Sequence, residues 1–193
     1  MRSRWVLALL SRGVFALTVM GLWMLLPSPI LTLHARVFYA LDEALKLAFP
    51  EAAQVEARTF ILKDEELKRA EKMAKTQIDS SLFTFYVGRK GDQIVGYAAI
   101  ESHIVRTLPE TILVVLSPEG KVRSTVVLAF HEPLEYMPTE RWLKQFDQKT
   151  LSQDLWQGGD IAGIFGSTLT VHAITGGVRK VLALFQILIK EPS

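Results

Sequence analysis

Gly166-Ser167-Thr168-Leu169-Thr170 is the stretch whose residue types and spacing best suit chemistry. Its hydroxyls follow a glycine at the opening of an apolar run that reads as a helix. The first amides of a helix have no partners within it. They attract phosphate through free N–H groups and the positive end of the helix dipole. A hydroxyl in that place also has a plainer use, capping the helix with no ligand present. The residue pattern alone leaves both readings open.

Other chemistries find less support. His34, His103, His131 and His172 are far apart and have no metal-ligand spacing, so no metal site is expected. Neither GxSxG nor HExxH occurs. Gly88-Arg89-Lys90-Gly91 lacks the strand–turn–helix setting of a phosphate loop. Carboxylates are plentiful, but nothing in the sequence puts two side by side, and no residue reads as a catalytic base or nucleophile. With no cysteine, disulfides, thiolate zinc and cysteine-ligated clusters are excluded. A net charge of +2 gives no basic footprint, so no nucleic-acid partner is expected.

The hydroxyls need elements to hold them. Residues 1–35 read as an N-terminal membrane anchor. Arg2, Arg4 and Arg12 precede residues 13–33, a run without formal charge. Its length of about 21 residues spans roughly 31 Å as a helix, close to a bilayer core. The positive flank stays in the cytoplasm and the remainder is sent across. The expectation is a single-pass protein of the cytoplasmic (inner) membrane, N-terminus cytoplasmic, C-terminal domain periplasmic or otherwise extracytoplasmic. A cleaved signal peptide is the rival reading, with Leu33-His34-Ala35 as its candidate cleavage site. Pro27 and Pro29 suit the outer end of such a helix. Trp5 and Trp23 mark either the bilayer interface or a partner surface.

Apolar residues at Val37, Phe38, Leu41, Leu45 and Phe49 predict a helix over residues 35–48, ended by Pro50. Residues 63–77 predict a second, charged helix with Leu67, Ala70, Met73 and Ala74 inward and a solvated outer face. Residues 36–80 are therefore read as a helical linker region. Residues 82–88, the turn Lys90-Gly91-Asp92 and residues 94–101 predict a hairpin. Residues 111–116, the turn Ser117-Pro118-Glu119-Gly120 and residues 122–130 predict another. Residues 140–146 suggest a short helix. The loop Gln157-Gly158-Gly159-Asp160 then leads to a long helix over residues 171–189, weakened early by Gly176-Gly177. The expected fold class is α+β: an antiparallel sheet with flanking helices, preceded by one N-terminal transmembrane helix.

In combination, residues 82–185 resemble the FMN-binding domain found in the G subunit of the Rnf complex and the C subunit of the sodium-translocating NADH:quinone reductase. More narrowly, the chain resembles single-anchor bacterial FMN-binding-domain proteins, with residues 81–193 as the domain. The family's core pattern is Ser/Thr-Gly-Ala-Thr, one further residue, then Ser/Thr. This chain reads Phe165-Gly166-Ser167-Thr168-Leu169-Thr170. Ala173-Ile174-Thr175 and Val178-Arg179-Lys180-Val181-Leu182 are similar to the family's helix. Val95-Gly96-Tyr97, Arg106-Thr107-Leu108-Pro109-Glu110-Thr111 and Phe130-His131-Glu132-Pro133-Leu134-Glu135-Tyr136 are similar to its strands and turns.

The resemblance implies FMN joined to Thr168 through a phosphoester, with Gly166, Ser167, Leu169 and Thr170 around the phosphate. It brings in Thr107 and Glu132 from loops on the flavin side. Leu169, Phe130 and Tyr136 are candidates for an apolar wall, and Arg106 for a counter-charge. It implies a membrane-anchored flavoprotein that relays electrons between redox partners, an electron-transfer component without a substrate of its own. Its partners would be the membrane, a membrane redox complex or electron-carrier protein, and a flavin transferase during maturation. Some positions depart from the pattern. Ala162 stands where the family has Asp, Phe165 replaces the first Ser/Thr, and Ser167 replaces Ala. These departures support an alternative, a flavin-free descendant acting as a structural or assembly subunit of a membrane complex. A free-standing flavin reductase is disfavoured, because no nicotinamide-binding pattern is visible.

Overall fold

The sheet has six strands, all antiparallel, in the order β1-β6-β5-β4-β3-β2. The computed structural model describes residues 36–191. The expected anchor, with His34 and the candidate cleavage site, lies outside the described residues. In chain order the elements are β1 (Arg36–Val37), α1 (Leu41–Ala48), β2 (Gln54–Ile61), α2 (Asp64–Ala74), β3 (Leu82–Lys90), β4 (Gln93–Ile104), β5 (Pro109–Leu116), β6 (Val122–Phe130), α3 (Glu140–Leu143) and α4 (Thr168–Phe185). A π-helical turn, Gln186–Lys190, continues α4. The class is α+β.

The central strands read as unbroken apolar runs because both sheet faces are covered. Ile112, Val114 and Leu116 of β5 turn toward α4 and join the main core with Phe85, Val87 and Tyr97. Leu113 and Val115 turn the other way, onto Ala44, Ala48 and Phe49 at the end of α1. This is the two-residue period of a strand carried on two hydrophobic faces.

Residues 36–80 are not the helical linker that the sequence suggested. Arg36 and Val37 pair with Phe130 and Ala129 at one edge of the sheet, and β2 pairs with β3 along its whole length at the other. The first helix accordingly starts at Leu41, where the Glu43 carboxylate accepts the Ala40 N–H at 3.0 Å. The second starts at Asp64, with Glu66 accepting the Lys63 N–H at 2.8 Å. Both are the reach-back half of a capping box.

Helix α4 begins at Thr168, three residues earlier than the apolar pattern alone predicts. Together with its π turn, Thr168–Lys190 has 23 residues and a mean hydropathy of 1.3. That is enough to cross a bilayer by length and composition, but 67% of its most apolar window is buried inside the domain. Here the helix is the core's central rod. Two features hold it. Gly177 allows close approach to the sheet, since a Cβ there would lie 3.1 Å from Ile112 Cδ1 and 3.3 Å from Glu101 Cγ. Arg179, only 1% exposed, donates to the carbonyls of Met73, Ala74, Ser152 and Leu155 at 2.7–3.0 Å. A cation at the C-terminal end of α2 meets that helix's free carbonyls and its negative dipole end. Burial pushes the Arg179 guanidinium below its ordinary value.

Candidate functional site

The turn Phe165-Gly166 delivers the chain into α4. Gly166 has φ +80°, the left-handed region, while a Cβ there would meet nothing within 4 Å. Glycine is thus required by the backbone and not by space. The segment before the turn is fixed through Ala162, whose N–H donates to Gln145 Oε1 at 2.8 Å and whose carbonyl accepts from Trp142 Nε1 at 2.7 Å. Trp156 stacks on His172, with the Arg179 guanidinium 5.6 Å from its ring centre, and so ties the preceding loop to α4.

The first helical turn is open at its end. The bond from Val171 N–H to the Ser167 carbonyl, 3.0 Å, begins the ladder, so the amides of Thr168, Leu169 and Thr170 lie before it. No side chain caps this terminus, Ser167 included. The plain capping role is therefore not the one Ser167 plays. Three hydroxyls stand here, and their exposures differ. Ser167 is 4% and Thr170 1% exposed, whereas Thr168 is exposed.

A pocket of about 190 Å³ borders the turn, walled by Gly166, Ser167, Thr168, Leu169 and Thr170 on one side and by Val105, Arg106, Glu132 and Tyr136 on the other. The far wall is the β4–β5 hairpin loop, residues 105–108. Its shape is set by Glu132, whose Oε1 accepts the N–H groups of Arg106, Thr107 and Leu108 at 3.1–3.2 Å. These amides, Thr107's foremost, hold the Glu132 carboxyl below its ordinary range against the opposing effect of burial. Beside it, His131 Nδ1 donates to the Pro109 carbonyl at 2.9 Å. Arg106 lies over the Tyr136 ring, 5.4 Å from its centre, a cation–π contact.

The structure thus brings Gly166, Ser167, Thr168, Leu169, Thr170 and Glu132 to one pocket. Thr107 is not on its wall; its backbone N–H serves the latch. One Glu132 oxygen is taken up by the loop, so this residue shapes the pocket. Phe130, proposed as an apolar wall, is 0% exposed and belongs to the core. Tyr136 and Leu169 do border the pocket. Asp160, two residues before Ala162, is paired with Lys149 at 2.9 Å. Ala162 is exposed, and Phe165 stands fully in solvent at 106%.

The sequence singles out neither the Gln145–Ala162 bond nor the Arg179 clamp as part of the site, and it gives Glu132 a place on the flavin side but not its role in fixing the loop. Only Arg179 left a signal, a charge inside an otherwise apolar helical run. No His/Cys/Asp/Glu group suited to a metal occurs among the described residues. The site combines an accessible hydroxyl, unpaired helix amides and one guanidinium, the donor set that suits a phosphoryl group. Compared with known protein families and with curated proteins, the chain matches none.

Proposed function

We propose that this chain is a membrane-anchored flavoprotein that carries FMN on Thr168 and relays electrons between redox partners. The observation that carries the reading is the exposure of Thr168. Of the three hydroxyls at the turn it alone is open to a transferase, and it stands on the same pocket wall as the free amides, opposite Arg106.

The residues fit the phosphate end of the group. At about 190 Å³ the pocket falls below the roughly 300–1,000 Å³ of sites that enclose a whole ligand. The phosphoryl group therefore belongs inside it and the three-ring end outside. Phe165 and Leu169, 106% and 46% exposed, flank Thr168 and offer apolar surface there. On forming the ester, Thr168 Oγ1 would exchange its proton for the flavin phosphoryl group, the transferase breaking a phosphoanhydride bond of an activated flavin nucleotide and releasing its other half. The amides of Leu169 and Thr170 and the Arg106 guanidinium would then take the phosphate charge. When bound, FMN supplies the redox chemistry, and the protein supplies orientation and electrostatics. Anchoring by residues 13–33 places the domain outside the cytoplasm, where a covalent link prevents loss of the flavin.

A second reading is favoured by Ala162 and Phe165, which replace polar groups and leave an exposed aromatic ring at the lip. In it the domain holds no flavin and Phe165 packs on a neighbouring subunit of a membrane complex. The visible spectrum of membrane-extracted, denatured protein separates the two. A flavin band retained after denaturation favours the carrier, and a colourless, stably folded protein favours the assembly subunit.

A further inference from the structure

We infer that the sheet forks between β3 and β4 and that the fork takes one extended segment of a partner protein as an inserted strand. The β3–β4 ladder ends at the Tyr86–Ala98 pair. Beyond it, residues 82–85 pair only with β2 and residues 99–104 only with β5. A cleft of about 380 Å³ lies between the two banks, a size that suits a ligand site. Leu82, Phe83 and Thr84 line one bank, and Ile100, Glu101 and Ser102 the other. Successive side chains of a strand point to opposite faces, so the cleft passes through the sheet.

Backbone groups fix the kind of occupant. Just past β4, the Val105 N–H donates to the Leu108 carbonyl at 3.1 Å, toward β5. By the alternation of an antiparallel strand, Ile100 and Ser102 turn their N–H and C=O groups the other way, into the fork. Thr84 does so from β3, in step with Tyr86. At the mouth, Ser80 stands in for a strand. Its hydroxyl accepts the Leu82 N–H at 3.0 Å and donates to the Leu82 carbonyl at 3.2 Å. The backbones of Thr84, Ile100 and Ser102 have no such substitute among the described residues. Two facing edges with unmatched donors and acceptors are matched by an extended backbone.

Side chains set its sequence. On the face away from α4, Leu82 stands on one bank with Ile61 beside it on β2, and Ile100 and Ile104 stand on the other. Ile61, Leu82 and Ile104 are 75%, 57% and 61% exposed. Alternate apolar side chains of an inserted strand would cover this patch. On the α4 side, Glu101 accepts from Lys180 Nζ, and both side chains line the cleft. That charged floor suits small hydroxyl residues. The partner segment is therefore about four residues long, the length of the shorter bank, with apolar side chains outward and Ser or Thr inward. The inference rests on neither the flavin nor the membrane.

The test uses the full chain in detergent micelles and the peptide Lys-Val-Ser-Val-Ser-Val-Lys, with fluorescein at one end and a photoreactive benzophenone at the other. Fluorescence anisotropy should show saturable binding, and crosslinks should map to residues 78–86 and 99–104. The same peptide N-methylated at alternate residues keeps its side chains but loses strand donors, and should bind at least tenfold more weakly. Leu82→Lys, on the bank, should weaken binding at least fivefold. Val55→Lys, on the sheet's free edge, should leave it unchanged. Both positions are exposed, and unfolding temperatures check that the variants fold. Thr168→Ala should bind like the wild type, so failure of the flavin reading leaves this test intact. No saturable binding, equal binding of the methylated peptide, or crosslinks confined to residues 54–61 overturns the inference. Self-association of the chain that Leu82→Lys abolishes gives the fork to a second copy and overturns the partner.

Discussion

The Glu132 carboxylate receives the backbone N–H of Thr107 at 3.1 Å, across 25 residues of sequence. With the Arg106 and Leu108 amides on the same oxygen, it turns the β4–β5 loop into a fixed wall. Glu132→Ala leaves three amides without their acceptor and should cost about 2 kcal/mol, with Glu132→Gln costing about half as much. The carboxyl is held below its ordinary value of 4.5. Its contribution is therefore full above that value and lost as pH falls through the depressed one. Denaturant melts at pH 7 and in acid should show the wild-type advantage over Glu132→Gln shrinking in acid. An advantage independent of pH contradicts the latch.

Glu110 behaves in the opposite sense. It is 0% exposed, has His103 Nε2 at 3.3 Å and leaves Oε1 unpaired among the described residues. Burial raises its carboxyl, with the His103 contact pulling the other way. A raised carboxyl favours the fold at low pH and works against it as pH rises through the shifted value. Glu110→Gln should therefore unfold at a higher temperature than wild type at pH 8, and the gap should narrow toward pH 5. A gap that widens in acid contradicts this.

Arg179 links α4 to the end of α2 and to the loop that leads toward Gly166. Arg179→Met removes the donor from four carbonyls. It should destabilise the domain by about 3 kcal/mol or more. Chemical denaturation measures this directly, and a loss within about 0.5 kcal/mol, the range of an ordinary surface change, would show that the clamp carries no load.

Arg106 should matter to the site and little to the fold, since its side chain is exposed and lies over the Tyr136 ring. Arg106→Ala should slow FMN incorporation about tenfold, the equivalent of one charge-assisted hydrogen bond. Its unfolding temperature should stay near the wild-type value. Equal incorporation rates would remove Arg106 from the phosphate site.

How much of this was legible depends on the range of the interaction involved. Strands β3 to β6 show in the sequence because aromatic and β-branched runs are split, within each hairpin, by a glycine turn at Gly91 or Gly120. Strand β2 does not, because Gln54, Glu56 and Arg58 interrupt an edge strand none of whose residues is buried. The start of α4 at Thr168 follows from Gly166, a local signal. The far wall of the pocket does not, because Glu132 reaches its amides across 24 to 26 residues and only folding brings them together. Phe130 was misjudged for a similar reason. Glu132, two residues on and past the end of β6, borders the site, while the Phe130 ring at the strand's last position packs into the core.

The most direct test of the central claim is the intact mass of the full chain co-expressed with a flavin transferase. The account predicts an increment of one FMN less one water, located on Thr168 by peptide mapping and absent from Thr168→Ala. Folded wild-type protein without the increment, or an increment that survives in Thr168→Ala, contradicts it.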